Sequence, residues 1–408
     1  MRCAALLLAI VLALAAPPVR ADAARAVILI SFDGTTPAMA ESLPVFERMA
    51  KEGAWAERLV PAFPSNTFPN HVTFVTGVSP DRHGIVNNSF HDPVRGTFDY
   101  AADPTWLEAE PIWSIAARAG VVSASYHWVG SEGAWTSGLG PRHWKPFDAR
   151  VPESMKVDQI LAWLDLPDPA ERPRLVTAWF HGADGVAHRF GPEHPAVAAS
   201  LERQGGELER LLEGIAARGL ADSTTLVVVS DHGMVDTRRR VDLTRALADA
   251  GAGARVIGGG GFAQVALIGA ADREARVQRV LEVAARLELE AWPRDAVPPP
   301  WSAANPRFGD VVVVAPLGVQ ITRLGFWARA LGRVGLHRSS LRGIHGHRPE
   351  LPEMSAFFAA IGPGVAPGAR PRTVRAIDVA PTVLSLLGIP IPDSMEGQPI
   401  PLTAGVTE

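Results

Sequence analysis

Three stretches of this chain, residues 26–31, 175–180 and 225–230, are almost unbroken apolar runs, and each has an aspartate at or shortly beyond its end. A strand wetted on one face alternates apolar with polar residues. These runs do not alternate, so both of their faces must be covered. Strand-like runs recur at 121–125 and 264–268, and helical patterns fall between at 43–52 (stopped by Gly53), 111–118, 196–218, 273–287 and 377–387. Strands alternating with helices predict an α/β fold: a mainly parallel central sheet sandwiched by helices. Open sheets of this kind present their ligands beyond the carboxyl ends of the strands, which is where the aspartates lie.

Two stretches break the rhythm. Residues 128–173 are rich in Trp, Gly and Pro, and residues 292–341 hold three consecutive prolines before a strand-like run at 311–314. Both read as inserted segments capping the sheet edge. The four glycines at 258–261 precede a strand and lack a following Lys-Ser/Thr and helix. They are therefore a tight backbone turn and not a phosphate loop.

The 408 residues are enough for one large α/β domain with insertions. A net charge of −4 gives no support to a nucleic-acid-binding surface. Residues 1–21 form a separate unit. Arg2, an apolar stretch at 4–15 and the small-residue site around Val19 and Ala21 read as a secretory signal peptide cut after Ala21. About a dozen apolar residues are too few to span a bilayer core of roughly 30 Å. Residues 22–408 are then expected to be a single exported catalytic domain, periplasmic or secreted, without a membrane span. The only cysteine, Cys3, would leave with the leader, so disulfides play no part.

The chemistry sits at the strand ends. Asp33 and Gly34 follow the first run, and Asp231, His232 and Gly233 repeat the design after the third. Alone, each is a turn signal. Asp184 and His188 follow the second run at i, i+4 spacing, on one face of a helical turn. Thr67 lies in a loop entering a helix, whose N–H groups suit an anion. Metal coordination is the recognised way to activate such a hydroxyl; as a structural role, Thr67 or Ser65 would cap a helix beginning near His71. His345 and His347 compete as a last ligand, and His71 and His83 are further candidates with structural roles open to them. Three carboxylates, three imidazoles and a hydroxyl suit a pair of Zn²⁺-like ions. Two divalent cations against three carboxylates and an alkoxide leave a near-neutral core that accepts a monoanionic diester. Together these residues point to a metal-dependent hydrolase. Arg329, Arg333, Arg338 and Arg342 are either an attraction for an anionic substrate or an exposed helix face.

In order and content the motifs Ser31-Phe32-Asp33-Gly34, Asn66-Thr67-Phe68-Pro69-Asn70-His71, His83-Gly84-Ile85-Val86-Asn87-Asn88, Asp184 to His188, Ser230-Asp231-His232-Gly233-Met234 and Gly343-Ile344-His345-Gly346 resemble the nucleotide pyrophosphatase/phosphodiesterase family of the alkaline phosphatase superfamily. The likeness runs from about residue 26 to 401. It implies an alkaline-phosphatase-like fold and two zinc ions: Asp184, His188 and His345 on one, Asp33, Asp231, His232 and Thr67 on the other. It also implies that Thr67 attacks phosphorus to form a phosphothreonine, that Asn88 and a backbone N–H near Phe68 bind a phosphate oxygen, and that Phe68 stacks on a base. It favours His345 over His347 as the ligand.

Asn88, where alkaline-phosphatase-type monoesterases use an arginine clamp, suggests diesters. The implied substrates are small phosphodiesters or phosphoanhydrides, namely nucleotides and dinucleotides. A phosphomonoester, a phosphonate or a choline- or lipid-headgroup diester is the alternative. A silent binding protein would lack ligands or the nucleophile. The run Gly346-His347-Arg348 departs from the family's usual Gly, aromatic, Asp. Trp128, Trp135 and Trp144 are the candidates for a second base-stacking ring.

Overall fold

A computed structural model describes residues 25–133, 135, 138–269, 271–323 and 341–403. Its centre is a seven-stranded sheet in the order Ala54–Trp55, Phe358–Ile361, Thr224–Ser230, Ala26–Phe32, Leu175–Phe180, Ser123–Tyr126 and His143–Lys145. The first strand in sequence lies in the middle, parallel to both neighbours. Only Phe358–Ile361 runs against the rest.

The unbroken apolar runs are explained by a double covering. Successive side chains of a strand point to opposite faces. In Ala26–Phe32, Val27 and Leu29 pack with Val227 and Val229 against helices Thr67–Thr76, Ile112–Arg118 and Val379–Leu387. Ile28, Ile30 and Phe32 pack on the other side, against Phe46 and Met49 of helix Pro44–Glu52, Val157 and Ile160 of Glu153–Leu164, and Leu201, Leu208 and Leu211 of Pro195–Ala217. The predicted sandwich of a mainly parallel sheet between helices is the observed fold.

Two expectations change. The strand predicted at 264–268 is Phe262–Leu267, but it joins a second, four-stranded antiparallel sheet with Ala254–Gly259, Glu290–Pro293 and Val311–Val314. One face of this sheet is covered by helix Arg273–Arg286, through Val280 and Val283 against Val265, Val311 and Val313. The stretch 128–173 is not a cap: it supplies the edge strand His143–Lys145 and the covering helix Glu153–Leu164. Of 292–341, the described part completes the small sheet. Residues 1–21, expected to be a signal peptide, and Arg329, Arg333 and Arg338 lie outside the described residues. Among those described, no helix is long and apolar enough to cross a membrane.

The glycines at 258–261 form a turn, as expected, and it has a neighbour. Gly259 pairs with Phe262, so Gly260 and Gly261 make a two-residue hairpin. A Cβ on Gly261 would lie 2.5 Å from the His347 nitrogen. That space is used: Gly261 N–H donates to the His345 carbonyl at 2.8 Å, and Ala315 N–H to the Gly261 carbonyl at 2.8 Å. The small sheet thereby grips the loop carrying His345.

Candidate active site

The carboxyl ends of the three central strands and the loop at 343–347 converge on a cavity of about 640 Å³. Asp33 is buried at the end of Ala26–Phe32. One of its oxygens accepts from Trp179 Nε1–H at 3.0 Å; the other, Oδ1, is buried without a partner. Asp231 is held likewise: Oδ1 accepts from the Gly34 N–H at 3.0 Å and the His232 N–H at 3.1 Å, and Oδ2 has no hydrogen bond. Asp184 Oδ1 is a third such atom. Burial and the charges of Asp231 and Asp184 raise the Asp33 carboxyl well above its ordinary pKa.

The three predicted histidine ligands share one arrangement. Nδ1 of His188 faces the Gly343 carbonyl at 2.7 Å, that of His232 the Gly233 carbonyl at 3.0 Å and that of His345 the Ser65 carbonyl at 3.1 Å. Such a bond fixes the proton on Nδ1 and leaves the Nε2 lone pair for a cation. His232 Nε2 lies 3.2 Å from Asp231 Oδ2, 3.6 Å from Asp33 Oδ1 and 3.1 Å from Thr67 Oγ1. His188 Nε2 lies 3.4 Å from Asp184 Oδ2. Two tight donor groups emerge: Asp33, Asp231 and His232, and Asp184, His232 and His345. His232 belongs to both, its ring stacked on His345 at 3.6 Å. His188 stands outside both, beside Asp184. Unpartnered carboxylate oxygens facing free imidazole nitrogens are a donor set of the kind that divalent zinc-type cations take, so the residues fit the expected metals.

Gly34 makes this convergence possible. Its φ is +63°, and a Cβ there would lie 2.9 Å from Asp184 Oδ1. Helix Thr67–Thr76 begins four residues earlier than expected, with Asn66 as its N-cap residue. Thr67 is therefore the first helical residue. Ser65 Oγ donates instead to the His347 carbonyl.

The remaining sequence candidates separate. His347 is buried, its Nδ1 on the Ala315 carbonyl, and Arg348 pairs with Glu290 on the small sheet. His83 is buried against Thr73 Oγ1, and burial pushes its pKa down to about 3. His71 backs the site, with Nδ1 on the Thr67 carbonyl at 2.9 Å and 3.6 Å from Asp231 Oδ2. Asn88 lines the cavity; its Oδ1 accepts from the Phe68 N–H at 2.8 Å, and its Nδ2 lies 3.3 Å from the Tyr100 hydroxyl. Phe68 does not line the cavity: it is buried against Phe98 and meets Tyr100 edge-on at 5.1 Å.

None of the three tryptophans faces the cavity. Trp128 is buried with its indole on the His71 carbonyl, Trp135 packs on Trp113, and Trp144 is in the edge strand. The aromatic surface comes from Tyr100, Phe147 and Trp179, with Phe147 stacked on Trp179 at 4.9 Å. Sequence reading missed these. The available signal was the polar sequence around Tyr100 and Phe147, between Asp99 and Asp103 and between Lys145 and Asp148.

The family profile described as Type I phosphodiesterase / nucleotide pyrophosphatase matches residues 27–340. The chain belongs to this family. Among similar family members are an uncharacterized pyrophosphatase/phosphodiesterase of Schizosaccharomyces pombe, 38% identical over 52% of this chain and 45% of that protein, and human ectonucleotide pyrophosphatase/phosphodiesterase family member 1, 34% identical over 47% of this chain and 21% of that protein. The matched part thus spans less than half the length of these curated relatives. Murine ectonucleotide pyrophosphatase/phosphodiesterase 5 superposes with a TM-score of 0.80 at 25% identity, over 91% of this chain and 98% of its own. An inactive form of that murine protein was solved in complex with AMP, again with a TM-score of 0.80. The family assignment agrees with the resemblance carried by the motifs.

Proposed function

We propose that this chain is an exported, two-zinc phosphodiesterase/nucleotide pyrophosphatase that opens phosphodiester or phosphoanhydride bonds through a phosphothreonine on Thr67. One observation supports this above others. Unpartnered oxygens of Asp33, Asp184 and Asp231 gather with His232 and His345 into two tight donor groups, and His232 Nε2, shared by both, lies 3.1 Å from the Thr67 hydroxyl at the first turn of a helix.

Asp184, His188 and His345 would hold one cation, and Asp33, Asp231, His232 and Thr67 the other. Bound there, the cations would supply Lewis acidity, lowering the Thr67 hydroxyl pKa and countering charge on the phosphoryl oxygens. Thr67 Oγ forms the new bond to phosphorus as the leaving oxygen departs with the electron pair. Water then cleaves the phosphothreonine and returns the hydroxyl. Asn88 Nδ2, oriented through the Phe68 N–H on its Oδ1, donates to a nonbridging oxygen. The helix start at Thr67 adds favourable N–H groups for the anion. A base would first meet Tyr100 and Phe147, with Phe68 supporting Tyr100 from behind.

The test is the zinc-loaded protein assayed on a nucleotide 5′-aryl phosphodiester, a bis-aryl phosphodiester and an aryl phosphate monoester. The nucleotide diester is expected to be hydrolysed fastest. Thr67→Ala is expected to lose about 10⁴-fold or more in kcat, as nucleophile removal does elsewhere, while folding and metal content persist. A dominant monoester activity, or an undiminished Thr67→Ala enzyme, would refute the proposal.

A further inference from the structure

Lysine is almost never fully buried unless its charge is matched, yet Lys156 is 0% exposed. It lies one turn into helix Glu153–Leu164, which covers the central sheet from the stretch 128–173. An ammonium has three donors and no acceptor. One donates to the Trp179 carbonyl at 2.7 Å and one to His181 Nδ1 at 2.9 Å; Glu153 Oε1 stands 3.8 Å away. Burial pushes the amine down to about 8, against the charges of Glu153 and Asp33, which leaves it cationic at neutral pH. Because Lys156 can only donate, His181 Nδ1 accepts, and the ring proton sits on Nε2, facing the Ala149 carbonyl at 3.2 Å. His181 lines the cavity three residues before Asp184. Both its nitrogens are spent, so it is no metal ligand.

Glu153 acts on the other side of the same turn. Helix Gly182–Phe190, which carries Asp184 and His188, starts without a cap of its own: its N-cap residue, His181, is already helical and makes no side-chain capping bond. Glu153 Oε1 supplies the cap from outside, accepting from the Gly182 N–H at 3.2 Å, where a carboxylate also suits the helix dipole. Gly182 allows the approach, since a Cβ there would lie 3.1 Å from that oxygen. The same oxygen accepts from Gln204 Nε2 of helix Pro195–Ala217 at 3.2 Å. Glu153 and Lys156, three residues apart on one helix face, therefore grip the turn at 179–182 from both ends.

That turn serves both donor groups. Trp179 bonds Asp33 Oδ2 through its indole, and Asp184 is the third residue of the helix that Glu153 caps. The ordinary account of a buried ion pair is a brace for the core. Stability is a weak reason for one, because apolar replacements of such pairs are often neutral. The bonds of this pair go to the turn behind the site.

We propose that Glu153 and Lys156 are positioning residues of the metal centre, a two-residue clamp that holds the turn at 179–182 so that Asp184 and, through Trp179, Asp33 face the cations. This rests on the metal-site reading above. Neither residue touches substrate or metal.

The experiment titrates zinc into the metal-free full chain and into Lys156→Met, Glu153→Met, Glu153→Gln and Val157→Ala, with thermal unfolding recorded for each. Lys156→Met and Glu153→Met are expected to bind zinc about 10- to 100-fold more weakly, while Glu153→Gln, which keeps an acceptor for the Gly182 N–H, stays within about threefold of wild type. Val157→Ala opens a cavity in the core beside the clamp and is expected to lower Tm with zinc affinity unchanged. The two Glu153 variants carry the test even if Lys156→Met fails to fold. Zinc affinity that follows Tm across all the variants, or that is unchanged in Glu153→Met, overturns the positioning role.

Hydrogen exchange of the metal-free protein separates the clamp from the metal reading. Amides 182–184 should exchange faster in Glu153→Met than in Glu153→Gln or wild type. Equal rates sink the clamp even where zinc binds. If the difference stands while wild type takes up no zinc, the clamp holds and the two-zinc reading falls.

Discussion

Replacing Gly34 by alanine tests whether the site depends on a backbone–carboxylate approach at a single atom. Two costs can be worked from the structure. Gly34 has φ +63°, and an L-residue with a Cβ pays about 1–2 kcal/mol for that left-handed conformation. The new Cβ would also lie 2.9 Å from Asp184 Oδ1. Reaching an ordinary contact of 3.4 Å moves the carboxylate by about 0.5 Å, against a tolerance of about 0.2 Å in ligand distances. The Gly34 N–H that holds Asp231 is retained, so the damage falls on Asp184. The folding cost is then small, a shift of a few degrees in Tm, while zinc affinity falls by about 10- to 100-fold. Titrating zinc into metal-free protein and recording thermal unfolding in parallel would check both numbers. Zinc affinity within twofold of wild type would refute the reasoning, because Asp184 would then not be held where a Cβ at position 34 disturbs it.

Three further outcomes are expected. Asp33→Asn is expected to stabilise the metal-free protein at pH 7 while abolishing metal-dependent turnover. The raised Asp33 pKa means that the folded state binds more protons, so stability falls as pH rises above the unfolded carboxylate value, and the amide removes that loss. An Asp231 oxygen within 4.8 Å of Asp33 sets the repulsion at no less than about 3.5 kcal/mol for an effective dielectric near 20; denaturant unfolding without metal would show no gain if the reasoning fails. His83, whose pKa burial lowers to about 3, binds fewer protons folded than unfolded between that value and about 6.5. Stability from this residue is therefore complete above pH 6.5 and declines by about 1.4 kcal/mol per pH unit on acidification; unfolding curves at pH 7 and 5 should show a shallower decline for His83→Gln. Trp179→Phe keeps the ring against Phe147 but removes the indole N–H bonded to Asp33 Oδ2; zinc affinity is expected to drop by about tenfold with little change in Tm, and an unchanged zinc titration would count against that bond's role.

The central sheet was readable because its strands are covered on both faces, which leaves no alternation to misread. The strand ends were readable only together: one aspartate after a strand is a turn signal, but three such ends, two with a nearby histidine, form a donor set. Phe262–Leu267 was legible as a strand but not as a member of another sheet, since sheet membership depends on distant pairing with Val311–Val314. Helix Glu153–Leu164 was obscured by flanks rich in Trp, Gly and Pro. The choice between His345 and His347 lay beyond local sequence, because both flank the same glycine, Gly346. Only the fold turns one ring to the donor cluster and the other to the Ala315 carbonyl. Trp128 shows the same limit for aromatics, since a ring's size does not say whether it faces core or cavity.

The position of strand Ala26–Phe32 in the middle of its sheet has a consequence for synthesis. Both its partners lie far downstream, and the second, Thr224–Ser230, ends 198 residues after Phe32. At roughly 5–20 residues per second the ribosome needs on the order of 10–40 s to deliver it. Through that interval this apolar strand has at least one open edge, and two until Leu175–Phe180 is made, which is a template for pairing with other nascent chains. The yield of soluble protein should therefore respond to translation rate and to holding chaperones more than to the stability of the finished fold, and a charge placed inside this strand to slow aggregation would be buried once its partners arrive.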